Sequence, residues 1–556
     1  MDFFVVAPMK LHILLALSGA AAVSAAPSIT QQQKISLGVG AGEVISFTGN
    51  GGNPFLAVTD NPAGGVRNFS YSGGLFTASN SVDFNSYFTN NPLAGFTFGE
   101  VSSVALDPLG RGFGLAAIQN GNVDVNGNSG LGQISVFDYA TGGVLGSFSG
   151  GFHPDQVGFS KNGMFAAIAN EGELGSDGAN DNRGSLSVFN FSSVTGVSDV
   201  IGNGSVATYD FSSANTSATF NTNVAGVRSH HLLAGSTFEN YLEPEYTSFS
   251  PDGTKILVSL QENNAVAEFD LGTNKWSNVT DLGIQLITID PSDRDGAADT
   301  GTKIYGAPMP DTIATFTKDG RNYVITANEG DARGDDLDTT KTGDYLTIPN
   351  DPDGNPYNTD ANTGGIGRLG LVDNLSDPDG DGNAEQLVSY GTRDVTIWEV
   401  ASDGSLSKVS SVDMEEYLLG QDPARHNSND GGDIGEFDKR SDNKGPEPEA
   451  LAVHVTADGK VYILAGAERQ NGLVLIDATD PSNPIAISYL NDNPDGLISP
   501  ESVQLVELDG KLVAIVGYEG ISGDGIAGSI GVYSIPEPSS LLLSLCGVFL
   551  LGIRRR

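Results

Sequence analysis

The chain has 556 residues, with 69 Asp and Glu against 28 Lys and Arg, and a formal net charge of −41. This balance excludes nucleic acid and anionic membrane surfaces as partners, because both demand clustered Lys and Arg, and it favours cations as ligands. Gly is frequent (73), charged residues are sparse (17%), and strand-like apolar runs broken by Gly, Asn and Asp turns prevail over any amphipathic helix pattern.

The first residues read as a secretory signal. Lys10 supplies the positive region, Leu11 to Val23 is apolar and small, and Val23-Ser24-Ala25 fits a cleavage site. The signal is expected to cover residues 1–25, and Met9 fits as an alternative start because Asp2 is unusual in such a segment. The only cysteine, Cys546, lies in a C-terminal apolar tail, so the folded part has no disulfide and must draw its stability from core packing, to which bound ions could add.

A divergent strand-rich unit spans roughly Val44 to Phe76, and a phrase then repeats along the chain. Pro and an acidic residue open an apolar strand, a tight turn follows, and a second strand ends in another acidic residue. The copies are Pro154-Asp155 to Asn162-Gly163 and Glu171, Pro244-Glu245 to Asp252-Gly253 and Glu262, and Pro310-Asp311 to Asp319-Gly320 and Glu329. Two more run from Pro448-Glu449 through Asp458-Gly459 to Glu468, and from Pro500-Glu501 through Asp509-Gly510 to Glu519. A weaker copy starts at Glu100, turns at Leu109-Gly110 and ends at Asn120. Asp-Gly is a hairpin signal, since Gly tolerates positive φ. A third strand follows each hairpin, as at Ala265 to Leu271, and often a fourth, as at Ile485 to Leu490.

Four antiparallel strands in units of about 40–60 residues predict an all-β fold, a single β-propeller over residues 40–535. Seven blades are expected if Gly367 to Val412 completes the blade begun at Asp311, and eight if Leu387 to Val412 forms its own. A sandwich array and a β-helix are the alternative all-β architectures. The loops at 331–366 and 413–447 are long, polar and rich in Asp and Gly, lengths usual for functional insertions.

In a propeller the first strand lines the central channel, and the start of strand one meets the end of strand two at one edge. Glu100, Asp155, Glu245, Asp311, Glu449 and Glu501 are therefore expected around the channel mouth. Glu171, Glu262, Glu329, Glu468 and Glu519 are expected farther out on the same face. Crowded carboxylates repel, and need protons, Arg or Lys partners (Arg333, Arg440 and Arg469 are the candidates), or metal ions. Oxygen-only clusters suit Ca2+ or Mg2+. The purely architectural alternative is that these acids accept backbone N–H bonds between blades.

A second acidic signal lies in a loop. Asp377, Asp379, Asp381, Asn383 and Glu385 place oxygen donors at alternate positions among glycines, as a Ca2+ loop requires, without the full spacing of an EF-hand. Asp290 to Asp299 is a weaker version, and a solvated Asp/Gly turn is the plain alternative for both. No P-loop, Gly-x-Ser-x-Gly elbow or His-Glu-x-x-His motif is present, and His153, His230, His231, His426 and His454 lack zinc-ligand spacing.

At the C-terminus, Pro536-Glu537-Pro538 precedes the apolar run Leu541 to Ile553 and then Arg554-Arg555-Arg556. As a helix the run spans about 20 Å against a bilayer core of about 30 Å. This tripartite segment, residues 536–556, resembles the PEP-CTERM sorting signal. The resemblance implies transient inner-membrane anchoring, recognition by an exosortase-type enzyme of a Gram-negative bacterium, and transfer to the cell surface or extracellular matrix. The phrases Glu243-Pro-Glu-Tyr-Thr-Ser-Phe-Ser-Pro-Asp-Gly253, Leu260-Gln-Glu-Asn-Asn-Ala265, Ala327-Asn-Glu-Gly-Asp-Ala-Arg333 and Arg440-Ser-Asp-Asn-Lys-Gly-Pro-Glu-Pro-Glu449 resemble the choice-of-anchor I family. That resemblance implies a propeller related to mesenchyme-specific cell-surface glycoproteins and to proteins labelled alkaline phosphatase-like. Two functions follow as expectations. One is a non-enzymatic surface protein whose acidic face binds divalent cations, extracellular polysaccharide or a surface protein. The other is a Ca2+-dependent phosphoesterase using Glu329, Asp331, Arg333, Arg440, Lys444 and Glu449, in which metals hold phosphate and activate water.

Overall fold

A computed structural model describes residues 28–535 apart from 50–51, 123–129, 173–181, 219, 221–236, 334–338, 430 and 492. The expected signal segment, the sorting motif Pro536, Glu537 and Pro538, the tail, and His230 and His231 lie outside the described residues.

The repeated hairpins form as their turn chemistry dictates. At Asp319-Gly320 and Asp509-Gly510 both central residues have positive φ (50° and 78°, 52° and 70°), the two-residue turn whose twist matches that of the strands. The second strand of each hairpin is almost wholly apolar because both its faces are covered. Val461–Ala467 is buried at every position. Among the described residues seven four-stranded antiparallel sheets result, and the first strand of each packs against the first strand of the next. These first strands are Ala41–Thr48, Phe98–Leu106, Pro154–Phe159, Pro244–Phe249, Ile313–Lys318, Pro448–Val455 and Pro500–Leu508. The last packs back against the first, which closes the ring of a β-propeller. Apolar clusters fill the space between neighbouring sheets, as where Ile325 and Ile397 meet Ile463 and Ile476.

The strand Thr30–Ser36, upstream of the region expected to fold as the propeller, pairs with Ser529–Ile535 and supplies the outer strand of the last sheet. Its sequence, TQQQKIS, carries little apolar patterning because an edge strand faces water.

The insertions depart from expectation. Asp394–Val400 and Leu406–Asp413 are the two outer strands of the sheet begun at Ile313–Lys318, so Leu387 to Val412 does not form a blade of its own. Nor does all of Gly367 to Val412 belong to that sheet. Gly370–Val372 and Val388–Tyr390 join Gln285–Ile289, Thr302–Ala307 and Thr339–Lys341 in a separate five-stranded sheet. There Thr302–Ala307 pairs in parallel with Val388–Tyr390 across 80 intervening positions. Three-residue strands paired at that separation leave no periodic trace in the sequence. The 413–447 loop opens with helix Met414–Gln421, whose N-cap Asp413 accepts a hydrogen bond from the Glu416 N–H. Among the described residues, no helix is long and apolar enough to cross a membrane.

Candidate metal-binding face

Three local devices bring the repeated acids to one edge. The residue before the proline has positive φ at His153 (44°), Met309 (46°), Glu447 (53°) and Ser499 (58°). Proline normally pushes its predecessor into the extended region, so this conformation is strained and must be held. The hold comes from the end of strand two. The N–H groups of Glu171, Glu468 and Glu519 donate to the carbonyls of His153, Glu447 and Ser499 at 3.0, 2.9 and 3.1 Å, and Gly330 donates to Met309 at 3.1 Å. In these four copies the inner acid is thereby tied to the end of strand two. Finally, the ladder is irregular at the acids of four copies, between Pro154 and Val157, Pro244 and Thr247, Pro448 and Leu451, and Pro500 and Ser502. A bulge of this kind re-aims a side chain off the sheet.

All seven first strands line a central cavity of about 430 Å³. Backbone N–H groups crossing from one first strand to the next are accepted by uncharged side chains. Ile45 donates to Ser502 Oγ (3.1 Å), Leu106 to Ser46 Oγ (2.9 Å), Val157 to Ser103 Oγ (3.1 Å) and Thr247 to Gln156 Oε1 (3.0 Å). Ser and Gln therefore perform the bridging that the architectural alternative gave to the acids.

The acids meet one another. Glu171, Glu245 and Glu262 form one triad, Asp311, Glu329 and Glu449 a second, and Glu449, Glu468 and Glu501 a third, each offering oxygens within 4.8 Å of one another. Glu449 belongs to two of them. Burial, then neighbouring carboxylates, push the Asp155 carboxyl up to about 7 and hold Glu245, Asp311, Glu449 and Glu501 well above the usual carboxylate range. The Glu468 carboxyl rises to about 8, through burial and then Glu447. Glu519 rises through burial, and Glu262 through burial and then Glu243. Glu100 reaches the same edge and acts on both Asp155 and Glu43.

Three acids at this face escaped the sequence reading. Glu43 stands in the first strand of the first sheet, and burial, Asp155 and Glu519 push it up to about 8. With Glu43, an acid stands at the start of every first strand or in the turn entering it: Glu43, Glu100, Asp155, Glu245, Asp311, Glu449 and Glu501. Its signal was weak because Ala41-Gly42 replaces the proline. Glu243 and Glu447 precede Pro244 and Pro448, and the tripeptide Glu-Pro-Glu was their visible trace.

Basic groups gather on one side. Lys444 Nζ lies 2.5 Å from Glu329 Oε1, 3.3 Å from Asp331 Oδ1 and 3.8 Å from Glu447 Oε2. Arg440 donates through Nε to Glu447 Oε1 at 2.8 Å, and Arg469 lies 3.4 Å from Glu447 and 3.1 Å from Glu468. Against the opposing effect of burial, Lys444, Arg440 and Arg469 hold the Glu447 carboxyl down to about 2. Of the proposed phosphate-binding set, Glu329, Asp331, Lys444 and Glu449 therefore come together, and Arg440 joins them through Glu447. Arg333 is 3% exposed, pairs with buried Glu243 at 2.9 Å and lies 4.2 Å over the Tyr241 ring.

In the Asp/Gly loop, oxygens of Asp377, Asp379, Asp381 and Glu385 converge within 4.8 Å. Asp377 is buried and accepts the Gly380 and Gly382 N–H groups at 2.8 and 2.7 Å, which sets the curl. Asn383 touches the group, its Nδ2 donating to Asp381 Oδ1 at 2.7 Å while its Oδ1 accepts from Thr347 Oγ1 at 2.7 Å. Burial, then Asp379 and Asp377, raise the Glu385 carboxyl.

No curated protein matches the chain in sequence. Among solved structures it is similar to the β-propeller domain of Cps50 (Swd1) from Myceliophteria thermophila, at 8% identity, 91% of this chain and 100% of that chain, with a TM-score of 0.45. It is also similar to a chain of the mitotic checkpoint complex (9% identity, 95% and 100% covered, TM-score 0.43) and to one of Kuenenia stuttgartiensis hydrazine synthase (12%, 88% and 96%, 0.41). The choice-of-anchor I domain matches residues 57–481, from the first sheet into the sixth. With most of its propeller inside that match, the chain belongs to the choice-of-anchor I family.

Proposed function

We propose that this is an exported surface or extracellular-matrix propeller whose acidic face binds Ca2+ and, through it, an anionic extracellular polysaccharide or surface protein. The observation that carries the reading is the set of three carboxylate triads on one face, two of which share Glu449. Oxygen-only donors suit a hard cation, and a bound divalent ion relieves the repulsion that burial imposes on these acids. Family membership fits an exported or surface-associated protein, and Pro536, Glu537 and Pro538 would be the element read by an exosortase-type sorting enzyme during transient inner-membrane anchoring.

Calorimetric titration with Ca2+ and thermal melts test this. A site filled at a hundred times its Kd stabilises the fold by about 2.7 kcal/mol, and Glu449→Gln, which cuts two triads, should remove most of the heat and of the shift. An unchanged melting temperature at millimolar Ca2+, with no heat of binding, ends the proposal.

A second reading, a Ca2+-dependent phosphoesterase, is supported by Lys444 and Arg469 standing beside the triads, where they would orient phosphate oxygens. Hydrolysis of a phosphomonoester and a phosphodiester, with Ca2+ and with chelator, decides it. Absence of turnover in every metal condition leaves the binding function alone.

A further inference from the structure

The inserted loops build a second polar cluster that shares no residue with the acidic face. Asp290 follows strand Gln285–Ile289, His426 follows the short helix Pro423–Arg425, and Asp438 follows Ile434–Glu436. All three are buried, at 0%, 0% and 1% exposure. His426 Nε2 lies 3.0 Å from Asp290 Oδ2 and 4.0 Å from Glu415 Oε1, and one donor atom from each of Asp290, His426 and Asp438 falls within 4.8 Å of the others. The sequence showed histidines without zinc-ligand spacing. Here the fold supplies the spacing instead.

The frame around the cluster is rigid. Arg393, 1% exposed, donates Nη1 to the Asp290 carbonyl (2.9 Å) and to Glu415 Oε1 (2.8 Å), and Nη2 to the carbonyls of Ser441 (2.8 Å) and Asn443 (2.7 Å). Asp438 has φ 71°, its N–H donates to the His426 carbonyl at 2.9 Å, and its Oδ1 accepts from Ser441 Oγ at 2.6 Å. Asp290 Oδ1 and Oδ2 accept from the N–H groups of Ser292 (3.2 Å) and Asp299 (3.0 Å).

Two features point to a ligand. Asp438 Oδ2, in the cluster itself, is buried and has no hydrogen-bond partner among the described residues. Leaving such a group unsatisfied forfeits the hydration it would have in water. The carboxyl groups of Asp290, Asp438 and Glu415 also outnumber the one permanent cation beside them, Arg393, which pairs with Glu415, and a divalent ion offsets the excess.

We propose that Asp290, His426 and Asp438 hold a Zn2+-class divalent ion that ties the 290–299 loop and the 423–440 segment to the propeller. An imidazole among carboxylates selects first-row metals over Ca2+. At Zn–ligand bonds of about 2.0–2.2 Å, tetrahedral ligand atoms stand about 3.3–3.6 Å apart. The 3.0 Å between His426 and Asp290 needs only a small adjustment to accept the ion.

The purified chain, stripped with chelator and reloaded with Zn2+ in excess Ca2+, should retain roughly one Zn2+ per chain after desalting. Co2+ loaded in its place should give a visible d–d band. His426→Gln and Asp438→Asn should each lose the metal and the band, whereas Glu449→Gln keeps both. Wild-type protein that retains neither Zn2+ nor Co2+ overturns the proposal without recourse to any variant, as does full metal retention by a folded His426→Gln protein.

Discussion

The channel-mouth acids and the Asp290–His426–Asp438 cluster use the same chemical groups and reach their places by opposite routes. At the mouth Asp155, Glu449 and Glu501 are each delivered by local devices: a strained residue before proline, a carbonyl that ties it to the end of strand two, and a bulge. The device repeats, so acids accumulate from sheet to sheet. The buried cluster is assembled once, from segments 136 residues apart, and Arg393 holds them together. Repetition brings many like charges to one edge, with Lys444, Arg440 and Arg469 as the basic groups beside them. Single assembly places opposite charges in contact and seals them from water.

The contrast predicts different responses to substitution and to ions. The largest effect is expected at Arg393→Met, which strands Glu415 in the interior and should cost about 3–5 kcal/mol, read as a fall in the urea midpoint that Ca2+ does not restore. Lys444→Met should also destabilise, but there Ca2+ should restore most of the loss because it replaces the missing charge beside Glu329. Equal rescue of the two variants would erase the distinction between the regions.

An intermediate effect is expected from pH. Asp155, Glu43 and Glu468 have folded pKa values of about 7, 8 and 8, above their ordinary values. A raised carboxyl binds its proton more tightly in the folded state. The chelated protein should therefore lose stability as pH rises from about 4 through about 8, and Ca2+ should flatten that slope. Glu447 acts in the opposite sense. Its stabilisation is present above its ordinary pKa and is lost as pH falls toward about 2. Melting temperature against pH, with and without Ca2+, reads both limbs, and a chelated protein most stable at pH 8 would contradict the assignment.

Smaller effects are expected away from the charges. Gln156→Ala removes the acceptor of the Thr247 N–H and hydroxyl and should cost about 1–2 kcal/mol in denaturant titration, with Ca2+ binding at the face preserved. In the exposed loop, Asp381→Asn should change stability by less than about 0.5 kcal/mol and alter Ca2+ stoichiometry alone.

Much of the acidic face was legible beforehand because its information is local. Pro154-Asp155 and Glu171, or Pro500-Glu501 and Glu519, sit at the two ends of one hairpin, and antiparallel pairing puts such ends together whatever the rest of the chain does. Glu43 was missed because its copy lacks the proline, and Thr30–Ser36 because an edge strand needs no apolar stripe. Arg333 looked like a phosphate ligand in the phrase Asn-Glu-Gly-Asp-Ala-Arg. Its burial against Glu243 and Tyr241 depends on a contact 90 residues away.

By itself, then, the sequence determined the all-β repeat, the hairpins and the gathering of their acids at one edge, because strand alternation, turn residues and the Pro-acid phrase act over a few residues and recur. Tertiary structure alone decided the five-stranded insertion, the partners of Arg333 and Lys444, and the meeting of His426 with Asp290 and Asp438. Those contacts each form once between distant segments, and a contact made once leaves no period in the chain that makes it.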